Sequence, residues 1–224
     1  EKTVITLVAN SNTVTYNGEA QSIEGFKDVT DGYTITGLTA KATGTNVGEY
    51  TTEIKGTAHV EKDNQDVTNK VIVNVVPGKL TISKRNVTLT SASDEKVYSG
   101  NPLTNGEVTV SGDGFANGEG ATYDVTGSQK DVGESKNTFS YTLNEGTNAD
   151  NYNITKTEGT LKVTPVTDQV TVTITGNTGS VKYDGNSHKV TGYTTTFSND
   201  LYTEANFKFS GKAEASRTDA GQTD

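Results

Sequence analysis

The sequence predicts an all-β chain of tandem antiparallel β-sandwich domains with little or no helix. Three observations predict it. Hydrophobic residues make up 30% of the chain, low against the roughly 45–50% of ordinary globular proteins even after its 24 glycines are added. Thr, in contrast, supplies about 40 of the 224 residues, and its branched side chain favours strands and tolerates a solvated sheet face. Second, apolar and polar residues alternate over short runs, and no i, i+3, i+4, i+7 pattern is sustained over ten residues. Third, one short stretch occurs three times, as Val14-Thr15-Tyr16-Asn17-Gly18, Lys96-Val97-Tyr98-Ser99-Gly100 and Val181-Lys182-Tyr183-Asp184-Gly185.

The three copies lie about 82 and 85 residues apart. That recurrence divides the chain into a first domain at 1–84, a second at 85–165 and a third, C-terminally incomplete, at 166–224. In the first, Thr3 to Val8 is a strand by β-branched content. Asn10-Ser11-Asn12 turns the chain into a second strand from Thr13 to Tyr16, which Asn17-Gly18 ends. Ser22 to Phe26 and Tyr33 to Thr36 follow, with Asp31-Gly32 as the turn between them. Thr45 to Tyr50 leads into a strand from Thr51 to Lys55, and Asp63 to Asp66 is a polar loop. Lys70 to Val76 and Lys79 to Ser83, separated by Pro77-Gly78, close the unit.

The second domain repeats that order through Val87 to Thr90, Glu107 to Ser111, Thr122 to Thr126, Asn137 to Leu143, Tyr152 to Thr155 and Thr160 to Thr164. Gly112 to Gly120 is a glycine-rich loop. The closing strands align as Gly78-Lys79-Leu80-Thr81-Ile82 and Gly159-Thr160-Leu161-Lys162-Val163, both alternating as a strand with one buried face must. The third domain opens with Val170 to Ile174 and aligns Gly221 with Gly48 and Gly133. It lacks its last strands, which predicts the least stable part of the chain. The joints at 83–86 and 165–168 are short and not Gly/Ser-rich, which predicts a semi-rigid monomeric rod over freely swinging beads.

Composition also excludes function classes. There is no Cys, hence no disulfide framework and no thiolate metal site. A net charge of −9 and a pI of about 4.8 are wrong for the phosphates of nucleic acid. No apolar run of membrane-spanning length exists, so no membrane insertion is expected of this fragment. Low hydrophobicity with net charge also suits disorder, but ten Tyr, six Phe and regular alternation favour a folded chain. A chain beginning at Glu1 reads as a piece of a longer one.

Candidate chemistry is sparse. The two histidines, His59 and His188, stand at unrelated positions of the repeat and read as surface or turn residues. Glu49 and Asp131 lie in turn motifs and are not repeated as a carboxylate pair of the glycosidase kind. Asp113, Asn117 and Glu119, like Asp63 to Asp66, offer oxygens that calcium takes, yet neither run matches the D-x-[DN]-x-[DN]-G loop and both suit ordinary turns. Asn86-Val87-Thr88 and Asn153-Ile154-Thr155 are sequons on expected strands. No Lys, Asn and acid stand at matching positions of both domains to form an isopeptide link. Neither catalytic residues nor a cofactor or metal are expected. Tyr16, Tyr98 and Tyr183 suit either a repeated sugar-stacking site or a repeated core anchor, and the latter is favoured.

Asn46-Val47-Gly48-Glu49-Tyr50, with Asp131-Val132-Gly133 and Asp219-Ala220-Gly221 in register, resembles the Asp-x-Gly-x-Tyr corner of immunoglobulin-like sandwiches, where a Tyr hydroxyl bonds back to nearby backbone. The second domain departs, since Phe139 is the next aromatic. Tyr-x-Gly (Tyr16, Gly18; Tyr98, Gly100; Tyr183, Gly185), the mid-domain Gly48, Gly133 and Gly221, and Gly-x-Leu-x-Val/Ile at the end are together similar to the MBG-type (YGX/YDG) tandem repeat domains of Gram-positive surface proteins and adhesins. That resemblance implies an immunoglobulin-like fold in each domain and an extracellular, cell-wall-attached location. It implies a structural stalk or spacer, and no catalytic residues. The alternatives are an adhesive module binding host mucin glycans or matrix protein, and accessory repeats of a surface glycosidase.

Overall fold

A computed structural model of the chain describes residues 1–29 and 32–224. It is all-β, as the Thr content and the alternation predict, with strands gathered in several small sheets and three single-turn 3-10 segments. In chain order the strands are β1 (Thr3–Val8), β2 (Asn12–Thr15), β3 (Gln21–Glu24), β4 (Tyr33–Gly44), β5 (Gly48–Thr51), β6 (Glu53–Lys62), β7 (Gln65–Asp66), β8 (Val71–Val76) and β9 (Lys79–Ser83). They continue as β10 (Arg85–Ser91), β11 (Asp94–Val97), β12 (Val108–Gly112), β13 (Ala121–Val125), β14 (Gly133–Lys136), β15 (Phe139–Leu143), β16 (Tyr152–Thr157) and β17 (Thr160–Thr164). The last are β18 (Val172–Gly176), β19 (His188–Thr191), β20 (Tyr193–Phe197) and β21 (Glu214–Arg217). Of the turn expected at Asp31-Gly32, Asp31 lies outside the described residues.

The strands are not all antiparallel. β1 pairs with β8 in parallel, β2 with β9, and β10 with β16. Each parallel pair joins an early strand of a repeat to a late one. A long crossover makes that possible, since a tight hairpin can only bring its two strands together antiparallel. The pairs β3–β4, β4–β6, β5–β9, β10–β12 and β13–β15 are antiparallel. β4 runs well past the expected Thr36. Its second half, Leu38 to Gly44, is rich in weak strand formers (Ala, Gly, Lys), but it is paired throughout, Leu38 to Lys41 with β6 and Lys41 to Gly44 with β3. Pairing there overrides propensity.

The described residues form two compact units. The first comprises Glu1–Asp94, Thr104–Ser128 and Glu134–Leu161, and the second Glu95–Leu103, Gln129–Gly133 and Lys162–Asp224. Within the first unit the alternation in β9 buries Leu80 and Ile82, and that in β10 buries Val87 and Leu89. Lys84 alone separates the two strands. Consequently one apolar core runs through the joint and carries Tyr16, Ala42, Leu80 and Ile82 from the first repeat and Val87, Leu89, Ala116, Phe139 and Tyr152 from the second. A smaller cluster of Ile5, Val60 and Val71 lies within the first repeat.

In each of the first two repeats the chain changes sheet at one buried polar residue. Thr52, between β5 and β6, donates its N–H to Gly78 O (2.9 Å) while its hydroxyl accepts from Gly78 N (2.8 Å). Asn137, between β14 and β15, donates its N–H to Gly159 O (2.9 Å), and its Nδ2 donates to Ala92 O and Asn105 O, both at 2.9 Å. These bonds satisfy the backbone where the ladders are interrupted.

The second unit is organised differently. Its strands β18 and β20 pair, as do β19 and β21, but among the described residues none after Val163 is buried. Ring contacts between Tyr193 and Phe209 (centroids 4.7 Å apart) and between Phe197 and Phe207 (6.4 Å) stand in for a core. Each fully buried aliphatic side chain is worth roughly 1.5–3 kcal/mol, and residues 166–224 have none. Amide exchange in β18–β21 is therefore expected to run at least about a hundredfold faster than in β9 and β10. Equal protection of the two sets, read by exchange mass spectrometry, would contradict this.

Candidate functional site

The first Tyr-x-Gly stretch lies at the joint between the first two repeats, inside the first unit. The N–H of Tyr16 donates to Ser83 O (2.9 Å), extending the β2–β9 ladder by one bond. That fixes the ring pointing into the core. Asn17 Oδ1 then accepts from Glu19 N (2.9 Å) and Gly18 adopts φ +86°, closing a tight turn.

The glycine-rich loop of the second repeat covers this corner. Residues Ala116 to Glu119 form a turn (Glu119 N to Ala116 O, 3.0 Å), and a Cβ on Gly18 would stand 3.1 Å from Ala116 Cβ. The Glu119 carboxylate accepts from two phenols, from Tyr16 at Oε1 and from Tyr152 at Oε2 (2.8 Å). The Tyr152 oxygen in turn accepts from Ala116 N (3.0 Å). The two rings meet edge to face, with centroids 5.6 Å apart and planes at 82°, and Phe115 packs edge-on against Tyr152 at 5.3 Å. Such edge-to-face pairs contribute about 0.5–1.5 kcal/mol beyond their buried area.

Two further ties hold the same joint. Arg85 donates from Nε to Gly114 O (2.7 Å), from Nη2 to Asp113 O (2.6 Å) and from Nη1 to Tyr16 O (3.3 Å), so one guanidinium holds backbone of both repeats. On the other flank Val47 N donates to Asn151 Oδ1 (2.9 Å), and Asn151 Nδ2 donates to Asn46 Oδ1 (3.0 Å). Asn151 is fully buried, so these bonds replace its lost hydration. The Asn46-Val47-Gly48 motif thus anchors the second repeat, while Tyr50 donates its hydroxyl back to Asn46 O (2.8 Å).

Both phenols are harder to ionise than a free tyrosine. Burial raises the Tyr16 hydroxyl first, and the Glu119 carboxylate adds to it. Tyr152 is pushed up to about 12, again by burial foremost. A folded-state value above the unfolded 10.0 means that the neutral phenol is favoured by folding. The resulting stabilisation, about 2–3 kcal/mol for Tyr152, is complete below pH 10 and disappears as pH rises toward 12. The alkaline limb of the unfolding midpoint is expected to start near pH 10 and to be shallower in Tyr152→Phe; identical limbs in the two proteins would contradict it.

The other predicted positions are not brought to this place. Tyr98 is half-buried in the second unit, its N–H donating to Thr164 O (2.8 Å) as Tyr16 does to Ser83. A Cβ on Gly100 (φ +77°) would stand 3.2 Å from Leu201 Cδ2. Tyr183 is 67% exposed and nothing lies within 4 Å of a Cβ on Gly185 (φ +82°). Next to it the Asp184 carboxyl is held down to about 2, first by the Asn186 amide and then by His188, whose Nε2 lies 2.8 Å away. Gly133 sits beside Gln129, and Gly221 beside Arg217, whose guanidinium donates to the carbonyls of Asp219 and Gln222 at 2.9 Å. The three Tyr-x-Gly copies are therefore not three equal surface sites, and Tyr16 is too buried for a sugar to stack on it.

Of the residues that complete the joint, Glu119 stands out in the sequence only as a calcium-type oxygen, and nothing local marks Arg85, Asn151 or Tyr152 as partners across it. A hint lay in the repeat itself: Glu204 stands 85 residues after Glu119, and Leu201 as far after Ala116. Of the oxygens considered for calcium, those of Asp113 and Glu119 are taken by Arg85, Asn86 and the two tyrosines. Among the described residues no three His, Cys, Asp or Glu come together as a metal site, and no helix is long and apolar enough to cross a membrane. No family model, curated protein or solved structure matches the chain.

Proposed function

We propose that this chain is a structural spacer, a run of immunoglobulin-like repeats of the MBG type in a large adhesin attached to a bacterial cell wall. The observation that carries this reading is the joint between the first two repeats. A single core passes through it, and Glu119, Arg85 and Asn151 each make hydrogen bonds across it. A module whose work is to hold a distant binding domain away from a surface needs stiffness between its repeats, and the polar cluster here spends its groups on that contact. Acidic composition keeps such a segment soluble.

The absence of cysteine from the sequence makes two engineered cysteines a clean pair of handles. Spin labels placed on β3 and β13 are expected to give one narrow distance distribution, broadened by Arg85→Ala. A broad distribution in the unmodified joint would sink the spacer reading. So would reproducible micromolar binding on arrays of glycans and matrix proteins, which would move the assignment to an adhesive module.

A further inference from the structure

The tripeptide Asn-Gly-Glu occurs three times in the chain, at 17–19, 105–107 and 117–119. Asn followed by Gly is the most reactive amide pair of a polypeptide, because a glycine nitrogen without a neighbouring side chain reaches the asparagine Cγ with least hindrance. The reacting residues are identical at the three places, and the fold distinguishes them. In the first two, the glutamate N–H bonds the asparagine side chain: Glu19 N donates to Asn17 Oδ1 (2.9 Å) and Glu107 N to Asn105 Oδ1 (3.0 Å). Asn105 is held further, its Nδ2 donating to Asp94 Oδ2 (3.1 Å) and its carbonyl accepting from Asn137 Nδ2 (2.9 Å). Gly18 is half-buried against Ala116. In the third, the Glu119 N–H turns instead to Ala116 O (3.0 Å). That leaves the Asn117 side chain exposed, with no hydrogen-bond partner among the described residues. Gly118 is exposed too, at φ +79°, and nothing lies within 4 Å of a Cβ there.

We propose that Asn117 is a modification site, whose deamidation and conversion to isoaspartate unlock the joint between the first two repeats. The Gly118 amide nitrogen attacks Asn117 Cγ, the Cγ–Nδ2 bond breaks, and Nδ2 leaves as ammonia with the Gly118 amide proton. Water then opens the resulting succinimide. Cleavage of the ring at Cγ yields aspartate. Cleavage at the main-chain carbonyl yields isoaspartate, in which the chain runs on through Cβ and Cγ. No electrons are exchanged, and water is the only co-reactant. Isoaspartate puts one more carbon into the main chain between Ala116 and Glu119. Those two residues seal the corner: Ala116 N donates to the Tyr152 oxygen, and the Glu119 carboxylate accepts from Tyr16 and Tyr152. Either product also adds a carboxylate two residues from that of Glu119, which it repels. This chemistry depends on the geometry of the joint and not on the spacer reading.

The test ages the 224-residue protein in mildly alkaline buffer, where the attacking amide is more readily deprotonated, and follows each asparagine by peptide mass spectrometry. Asn117 is expected to react at least about tenfold faster than Asn17 or Asn105, since the side-chain hydrogen bonds of those two must first open. In the urea-unfolded chain the three rates should converge. Equal rates in the folded protein would overturn the assignment. The same ranking in urea would overturn it too, by placing the cause in the residue before each asparagine. The effect on the joint is read by amide exchange at Tyr16. The aged parent is expected to lose at least about tenfold in protection there, whereas Asn117→Ala, which forms no succinimide, keeps it after the same treatment. Freshly prepared Asn117→Asp carries the charge without the added main-chain carbon and should lie closer to the unaged parent. Fully converted protein with Tyr16 as protected as before would break the link between the modification and the joint. Loss of Tyr16 protection in aged Asn117→Ala would break it as well, by placing the damage elsewhere.

Discussion

Tyr152→Ala is expected to destabilise the first unit by about 3–5 kcal/mol, the range for deleting a buried aromatic ring. Three losses coincide. The ring fills the space between Tyr16 and Phe115, its oxygen is the acceptor for Ala116 N, and its hydroxyl is one of the two phenol donors to the Glu119 carboxylate. Tyr152→Phe separates them. It keeps the ring and leaves the Ala116 amide without its acceptor, at a cost of about 1–3 kcal/mol. Glu119→Gln keeps the size of the acceptor but removes its charge, so its cost should be closer to that of Tyr152→Phe than to that of Tyr152→Ala. Urea unfolding followed by tyrosine fluorescence measures all three, and a Tyr152→Ala midpoint equal to that of the parent would refute the assignment of this cluster as the centre of the joint. The first repeat should also lose protection in amide exchange at Tyr16, although the substitution lies in the second.

Gly78→Ala and Gly159→Ala are expected to destabilise by about 3 kcal/mol each, and the two should behave alike. A Cβ on Gly78 would lie 2.0 Å from Asn10 O, and one on Gly159 would lie 2.3 Å from Ala92 O. Both obstacles are main-chain carbonyls, so no side-chain rotation relieves the clash. Relief requires the closing strand to move away from the residue that follows the opening strand. The hydrogen bonds at the switch position oppose this, from Gly78 to Thr52 in one repeat and from Asn137 to Gly159 in the other. Gly146→Ala is the control, since nothing lies within 4 Å of a Cβ there, although its φ of +87° leaves a backbone cost of about 1 kcal/mol. Thermal midpoints for Gly78→Ala and Gly146→Ala that coincide would show that close approach is not what selects glycine in the Gly-x-Leu-x-Val/Ile motif.

The sequence by itself determined the all-β character, the repeat and the position of most strands. Each of these is a local property. Thr3 to Val8 and Lys79 to Ser83 emerge with the bounds their alternation predicts, because a strand with one buried face must alternate whatever it packs against. The parallel pairing of first and late strands was not legible, since alternation reads the same for either direction of the partner. Nor was the second half of β4, where Leu38 to Gly44 takes its conformation from two neighbouring strands. What Tyr-x-Gly does was decided only by tertiary structure. Tyr16, Tyr98 and Tyr183 have nearly the same neighbours in sequence, yet one is buried, one half-buried and one exposed. The difference lies in what covers each corner. For Tyr16 the covering groups are Glu119 and Tyr152, more than a hundred residues away along the chain. A hydrogen bond and a ring contact over that separation depend on how two repeats meet, and no local pattern of residues encodes that meeting.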